Sequence, residues 1–363
     1  MSLTVTALFC TIAPEKGAER VKKILQNLPE ALLPWYLENK RDLPWRADRE
    51  PYHVWLSEIM LQQTRVEAVK GYYARFLAAL PDIAALANAD DERLHKLWEG
   101  LGYYSRVRNL KKAAIAIMQQ HGGIFPREYD AVRALPGIGD YTAGAICSIC
   151  FDQPTPAVDG NVLRVMARLA ADDSPVDTPS YKKKAALLLA EVYPKAAGDF
   201  TQALMELGAT VCGPNTKPNC EACPCCKFCR GCELGTAENL PVRLPKKGRR
   251  VEEKTVLILS CGEKFALIKR SDKGLLAGLW QFPEIPGKLE LTDALKKAEE
   301  IGLSVREVYR QVNKKHVFTH IEWQMRGWYL EVNEELNAYI WLTKEQIAQK
   351  AALPTAFRQF WDI

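Results

Sequence analysis

The chain has 363 residues, 48% of them hydrophobic, which is enough to bury a substantial core and to build two domains. Its formal net charge of +5 permits a nucleic-acid partner without demanding one, and no apolar run is long enough to span a membrane. Met1 to Ala13 lacks the basic start of a secretion signal, and seven of the eleven cysteines crowd between Cys212 and Cys232, pointing to a metal site in a reducing cytoplasm.

Residues 1–28 give no clear pattern and are set apart as an extension. From Leu32 the spacing turns helical, Arg41–Arg46 forms a loop, and Pro51 suits a helix start. The segment from Pro51 to Val69 predicts an amphipathic helix with Trp55, Ile59 and Val66 on one side. Glu58 sits three residues from Trp55 and three from Leu61, among largely apolar neighbours. Desolvation there would raise its pKa and keep a proton available. The helix pattern alone favours a buried structural glutamate paired with an arginine. Helices are expected through Tyr72–Leu80 and Leu94–Trp98. Next, Arg106, Arg108, Lys111 and Lys112 stand beside Tyr103 and Tyr104, a mixture suited to phosphate contact and base stacking. A solvated helix face over two core tyrosines accounts for it equally well.

The stretch from Leu135 to Asp159 organises the rest. It reads L-P-G-I-G-D-Y-T-A-G-A, then an apolar helix, then V-D-G-N. Gly137 and Gly139 permit a sharp turn between two helices, and the free N–H groups at the start of the second helix favour a phosphate. Ala143 and Gly144 are small enough for close helix packing, and Pro154 and Pro156 break the helix before Asp159. Asp159 precedes a helix expected over Asn161–Ala170, where it would also serve as a simple N-cap. Downstream, Cys212, Cys220, Cys223 and Cys229 give C-x7-C-x2-C-x5-C, a set that can hold an iron–sulfur cluster or zinc, with Cys225, Cys226 and Cys232 in surplus. A basic, Pro-containing connector covers 236–253, and from Lys254 the pattern changes to strands, T-V-L-I-L-S and F-A-L-I-K-R. His316–Ile321 reads as a strand ending in a polar loop, followed by a strand over Trp323–Leu330.

The hairpin, the aspartate and the cysteines occurring together resemble the helix–hairpin–helix DNA glycosylases. S-E-I-M-L-Q-Q-T from Ser57 to Thr64 closely resembles the catalytic helix of adenine DNA glycosylases of the MutY family. Gly274–Pro283 resembles the segment entering a Nudix signature. That signature keeps Glu299, Glu300 and Gly302 but has Lys296 where an acidic residue belongs, so Mg²⁺-dependent hydrolysis is not expected. The resemblance implies an all-α region over 29–235, with two helical subdomains and an iron–sulfur cluster loop, and an α+β Nudix-like lesion-recognition domain over 254–363.

It further implies a monofunctional enzyme that hydrolyses the N-glycosidic bond of adenine opposite 8-oxoguanine or guanine. Glu58 would be the acid and Asp159 the stabiliser of the sugar cation, with Tyr141 and Asn161 in the same pocket. The same resemblance places Gln63 and Tyr103 as wedges in the duplex and Gln202 on the target base. Arg46, Leu61, Thr64, Gly137 and Gly139 join the DNA- and base-contacting set. Phe318-Thr319-His320 matches the family's F-S-H loop at the partner base. Cys212, Cys220, Cys223 and Cys229 would hold a [4Fe–4S] cluster, although the family's more common first gap is one residue shorter. The implied partner is double-stranded DNA bearing A:8-oxoG or A:G mispairs, met by a monomer in the bacterial cytoplasm, at the nucleoid, with no membrane role. Endonuclease III-like enzymes carry a lysine where this chain has Tyr141, and a phenol forms no Schiff base. Thymine-mismatch glycosylases share the tyrosine but lack the C-terminal domain.

Overall fold

Helices come first in the chain and strands last. The computed structural model describes residues 14–214, 217–245 and 248–361. The helices before the first strand are α1 (Pro14–Gln26), α2 (Leu28–Asn39), α3 (Pro51–Leu61), α4 (Val66–Ala79), α5 (Ile83–Asn88), α6 (Asp91–Leu97), α7 (Ser105–Gln120), α8 (Tyr129–Ala134), α9 (Asp140–Phe151), α10 (Gly160–Ala170), α11 (Pro179–Ala190), α12 (Ala197–Thr210) and α13 (Arg230–Glu233). The strands follow as β1 (Arg250–Cys261), β2 (Lys264–Lys269), β3 (Trp280–Gln281), β4 (Glu284–Pro286), β5 (Val305–Val317), β6 (Ile321–Val332) and β7 (Ile340–Thr343). Helix α14 (Leu291–Glu300) precedes β5, and α15 (Lys344–Lys350) and α16 (Thr355–Arg358) close the chain. Among the described residues no helix is long and apolar enough to cross a membrane.

Packing divides the described residues into two units, one from residues 14–62 with 119–214 and 217–245, the other from 63–118 with 248–361. The first unit is all helical. Its core gathers Ile24, Leu25, Leu28 and Leu32 with Val162, Met166, Phe200 and Leu204. Part of the segment set apart as an extension is therefore core: Ile24 and Leu25 of α1 are buried, while residues 1–13 lie outside the described residues. The expected amphipathic helix also differs. Helix α3 ends at Leu61, Val66 opens α4, and Val54 to Met60 are all buried. Such a helix shows no stripe because it has no wet face.

The second unit joins helices α4–α7 to a sheet ordered β3-β2-β1-β6-β5, with β4 on β1 and β7 on β2. Strands β1 and β6 run parallel, pairing Arg250 with Ile321 through Ser260 with Glu331, and β5 returns antiparallel to β6. Successive side chains of a strand face opposite sides, so the unbroken apolar run of β1 feeds two cores. Val256 and Ile258 join Phe282, Trp323, Phe357 and Phe360, while Leu257 and Leu259 join Ala294, Ala298, Trp328 and Leu330. Much of the positive charge expected to meet DNA holds this unit together. Arg106 is buried and donates to Leu101 O at 2.9 Å, Arg108 donates to Ala277 O at 2.6 Å, and Lys111 pairs with Asp91. Tyr104 is core, whereas Tyr103 is 48% exposed.

Candidate active site

Three helices of the first unit bring the catalytic candidates together. Glu58 lies in the buried middle of α3 and is 6% exposed. Tyr141, in the first turn of α9, donates its hydroxyl to Glu58 Oε2 at 2.6 Å. The phenol thus sits on the acid. Burial pushes the Glu58 carboxyl up to about 7, the Tyr141 hydrogen bond lowers it, the charge of Asp159 raises it and Arg46 lowers it. Burial, with Glu58 and Asp159 nearby, also holds the Tyr141 phenol well above its ordinary value, so it remains a neutral donor.

Asp159 caps α10. Its Oδ1 accepts from the Asn161 and Val162 backbone N–H groups, each at 2.8 Å, and its Oδ2 accepts from Asn161 Nδ2 at 2.7 Å. Burial pushes its carboxyl up, against the pull of these three donors. The N-cap and the catalytic reading describe the same geometry: a carboxylate locked in place by the helix it starts. The lock continues inward. Asn161 Oδ1 accepts from Arg164 Nη2 at 2.8 Å, and Arg164 also donates to Gly208 O at 2.7 Å and to Cys212 O at 2.8 Å. A Cβ on Gly208 would lie 2.7 Å from Asn161 Cβ, so only glycine lets α12 come this close.

The hairpin before α9 turns on one glycine. Gly137 has φ +78°, whereas Gly139, expected to use the same freedom, caps α9 at φ −99°, ψ 176°, which any residue adopts. Gly144 meets backbone in place of the expected helix. Its Cβ would fall 2.2 Å from Pro156 O, which seats the strand of chain leading to Asp159.

Arg46, whose charge acts on Glu58, is paired with Glu206. Glu206 is fully buried and accepts from Arg41 Nε at 2.6 Å and from Arg46 Nη2 at 2.7 Å. Burial alone would raise the Glu206 carboxyl, but the hydrogen bonds from Arg41 and Arg46 outweigh it and hold the group below its ordinary value. Arg46, proposed from sequence to meet DNA, is thus engaged inside the protein. Gln202 is half-buried on α12, and Leu61 is half-buried at the end of α3.

The cysteine loop packs against the same helices. Cys212, Cys220, Cys223 and Cys229 line one cavity together with Arg168, Cys226 and Cys232. Arg168, 3% exposed, donates to Cys212 Sγ at 3.2 Å, and Cys229 Sγ donates to Arg168 O at 3.4 Å. Four thiols around a cavity with a buried guanidinium on one sulfur are a donor set that fits a thiolate-bound cluster. Among the described residues no group of three or more His, Cys, Asp or Glu is arranged as a metal site. Of the surplus cysteines, Cys226 and Cys232 are disulfide-bonded and Cys225 is buried. The connector after this loop is docked: Arg168 Nε donates to Leu240 O at 2.9 Å, Val176 N to Val242 O at 3.1 Å and Leu244 N to Asp177 Oδ1 at 3.1 Å.

The remaining sequence candidates fall in the second unit. Gln63 and Tyr103 are exposed and hold left-handed backbone angles, φ 59° and 45°, costly for residues with a side chain. Thr64 is half-buried, within 3.5 Å of Arg106 Nη2. Thr319 and His320 are the exposed tip of the β5–β6 hairpin, and the Tyr103 and Thr319 hydroxyls are 2.7 Å apart.

Sequence reasoning missed Arg164, Arg168 and Glu206. The first two had a signal, charges four apart on the buried face of an apolar helix, where charge persists only if paired.

The chain is similar to known proteins of base excision DNA repair. Residues 56–192 match the model of the HhH-GPD superfamily base excision DNA repair proteins, and residues 255–362 match a NUDIX domain. The adenine DNA glycosylase of Mus musculus is 35% identical over 91% of this chain and 77% of its own length. That of Arabidopsis thaliana is 37% identical over 82% of this chain, which spans 56% of the plant protein, and that of Buchnera aphidicola from Acyrthosiphon pisum is 32% identical over 80% of this chain and 83% of its own length. Among solved structures, a thermostable thymine-DNA glycosylase superposes with a TM-score of 0.54 at 28% identity, covering 60% of this chain and 99% of that one.

Proposed function

From the premise that this chain belongs to the adenine DNA glycosylase family of base-excision repair enzymes, we propose that it removes adenine mispaired with 8-oxoguanine or guanine from duplex DNA. The observation that carries the reading is Glu58, a buried carboxyl with a pKa near 7, hydrogen-bonded by Tyr141 and influenced by Asp159. Chemistry on a base requires its extrusion from the stack. With Oε2 accepting from Tyr141, the other Glu58 oxygen is free to carry a proton to N7 of the flipped adenine, making the base a better leaving group. The C–N bond then breaks with its electrons leaving on the base. Positive charge develops on the sugar, where the Asp159 carboxylate stabilises it until water adds at C1′. The three donors on Asp159 favour the ionised form this role needs. Tyr141 cannot form a Schiff base, so strand cleavage by β-elimination is absent.

Gln63 and Tyr103 serve as wedges in the duplex and Thr319 and His320 as readers of the partner base. Cys212, Cys220, Cys223 and Cys229 would hold a [4Fe–4S] cluster. When bound, the cluster supplies a rigid staple for the loop and no step of the reaction. The enzyme acts as a monomer in the cytoplasm. A thymine-mismatch activity is the other reading. The thymine-DNA glycosylase structure is matched over 99% of its length by only 60% of this chain, leaving the NUDIX domain without a counterpart. Single-turnover excision from duplexes with adenine or thymine opposite 8-oxoguanine or guanine tests the proposal. Release of adenine, fastest opposite 8-oxoguanine, is expected; release of thymine in preference to adenine would overturn it.

A further inference from the structure

The hairpin tip of the second unit has its own foundation, and nothing in the proposed chemistry uses it. Two backbone hydrogen bonds close the tip, Phe318 N to Ile321 O at 2.8 Å and Arg250 N to His320 O at 3.0 Å. They fix its ends. The tip's side-chain anchor is Phe318, whose ring meets His316 edge-on at 4.5 Å and Trp323 edge-on at 4.8 Å between centroids. Trp323 is 2% exposed and packs on Phe357 at 5.9 Å.

Charged groups also fix this tryptophan. Its Nε1 donates to Glu252 Oε2 at 2.9 Å, and Lys254 Nζ lies 4.5 Å from its ring centroid, held in turn by Glu284 Oε1 at 3.0 Å. Glu252 and Lys254 alternate along β1, and Glu252 is directly paired with Trp323 on β6, so the three share one face of the sheet. A large aromatic needs no charged partners merely to fill a core. A ring hydrogen-bonded at its nitrogen and capped by a cation has one allowed orientation.

We propose that Trp323, locked by Glu252, is the positioning residue for the Thr319–His320 tip and so sets discrimination of the partner base. Phe318 transmits the position, and Thr319 passes it on to Tyr103 through the 2.7 Å contact between their hydroxyls. This rests on the reading that the tip contacts the partner base.

The test uses the full chain and four variants: Glu252→Ala, Glu252→Gln, Trp323→Phe and the double variant Thr319→Ala with His320→Ala. Single-turnover rates of adenine excision are measured opposite 8-oxoguanine and opposite guanine, with melting temperatures alongside. Glutamine retains an acceptor for the indole N–H, and Glu252 is partly exposed, so neither substitution there should unfold the domain. Glu252→Ala and Trp323→Phe should lower the 8-oxoguanine-to-guanine rate ratio about fivefold, with the guanine rate little changed and Glu252→Gln close to wild type. The double variant should lower the ratio further, within the roughly 5- to 150-fold that one good base contact is worth. A ratio that falls in the double variant but holds in Glu252→Ala and Trp323→Phe would overturn the positioning role and leave the tip as reader. A ratio unmoved in every variant would overturn both. Equal loss on the two substrates together with a lowered melting temperature would mark Trp323 as a packing residue only, which also overturns the proposal.

Discussion

The acid pocket of the first unit and the hairpin tip of the second are built on opposite principles. Glu58, Tyr141 and Asp159 are set by helices without a wet face, by close glycine contacts and by hydrogen bonds that continue inward through Asn161 and Arg164. Thr319 and His320 stand in solvent at the end of two strands, with one side-chain contact between Thr319 and Tyr103. Burial is what tunes the first site, because desolvation is the largest cause that pushes the Glu58 carboxyl up to about 7. Exposure is what the proposed role of the second requires, since that role is to meet a base supplied from outside. Mutations should therefore act on rate in the first unit and on selectivity in the second.

The largest break should come from Glu58→Gln, which removes the proton but keeps the shape. Excision should fall by about 10²–10⁴-fold, the usual worth of a general acid, with duplex affinity retained. Substantial turnover in this variant, followed by quench-flow, would remove Glu58 from the acid role. The same variant sharpens the comparison without any DNA. A carboxyl whose folded pKa is raised keeps its full contribution below its unfolded value of 4.5 and loses stability as pH rises from there to about 7. Glu58→Gln should then match wild type in denaturant melts near pH 4 and exceed it by on the order of 3 kcal/mol above pH 7. Equal stability across that range would mean Glu58 is not desolvated.

Cutting the inward lock should cost less. Arg164→Leu leaves the Asn161 side-chain oxygen and the Gly208 carbonyl without this donor and the Cys212 carbonyl with Arg168 alone, so a loss of about 1–3 kcal/mol of stability is expected, with slower excision. Unchanged melting and rate would show that Asp159 needs no support beyond its cap. In the second unit, deleting residues 254–363 should slow excision opposite 8-oxoguanine more than opposite guanine, by about 1–3 kcal/mol of discrimination. Equal slowing would assign that domain to general grip. The smallest effect belongs to the cysteines. Serine at Cys225, Cys226 or Cys232 should leave four irons per chain by elemental analysis, and serine at Cys220 should not; stoichiometric zinc without iron in an anaerobic preparation would contradict the cluster.

The two units also differed in how much of them could be read from the amino acids. The strand domain announced itself, since alternation and the apolar run of β1 follow from a sheet with two covered faces. Asp159 was legible because a cap, a glycine hairpin and two prolines leave local marks. The start of helix α3 was legible at Pro51 but its face was not, because periodicity needs a wet face and α3 has none. Nor could the sequence say that Arg46 would turn inward to Glu206, 160 residues away, or that Arg108 would donate to the Ala277 carbonyl, 169 residues away. Pairings of that length leave no local signature, and a basic segment looks the same whether its charges meet phosphate or carbonyl oxygen.

The central claim is that a buried, protonated Glu58 starts the reaction, and the pH dependence of single-turnover adenine excision tests it most directly. The proton is present below the folded pKa, so the rate should fall tenfold per pH unit above about 7, with a second fall at low pH as Asp159 becomes protonated. Tyr141→Phe removes a hydrogen bond that lowers the Glu58 pKa, so it should move the alkaline fall to higher pH. A rate that stays level or rises from pH 7 to 9 would contradict the account.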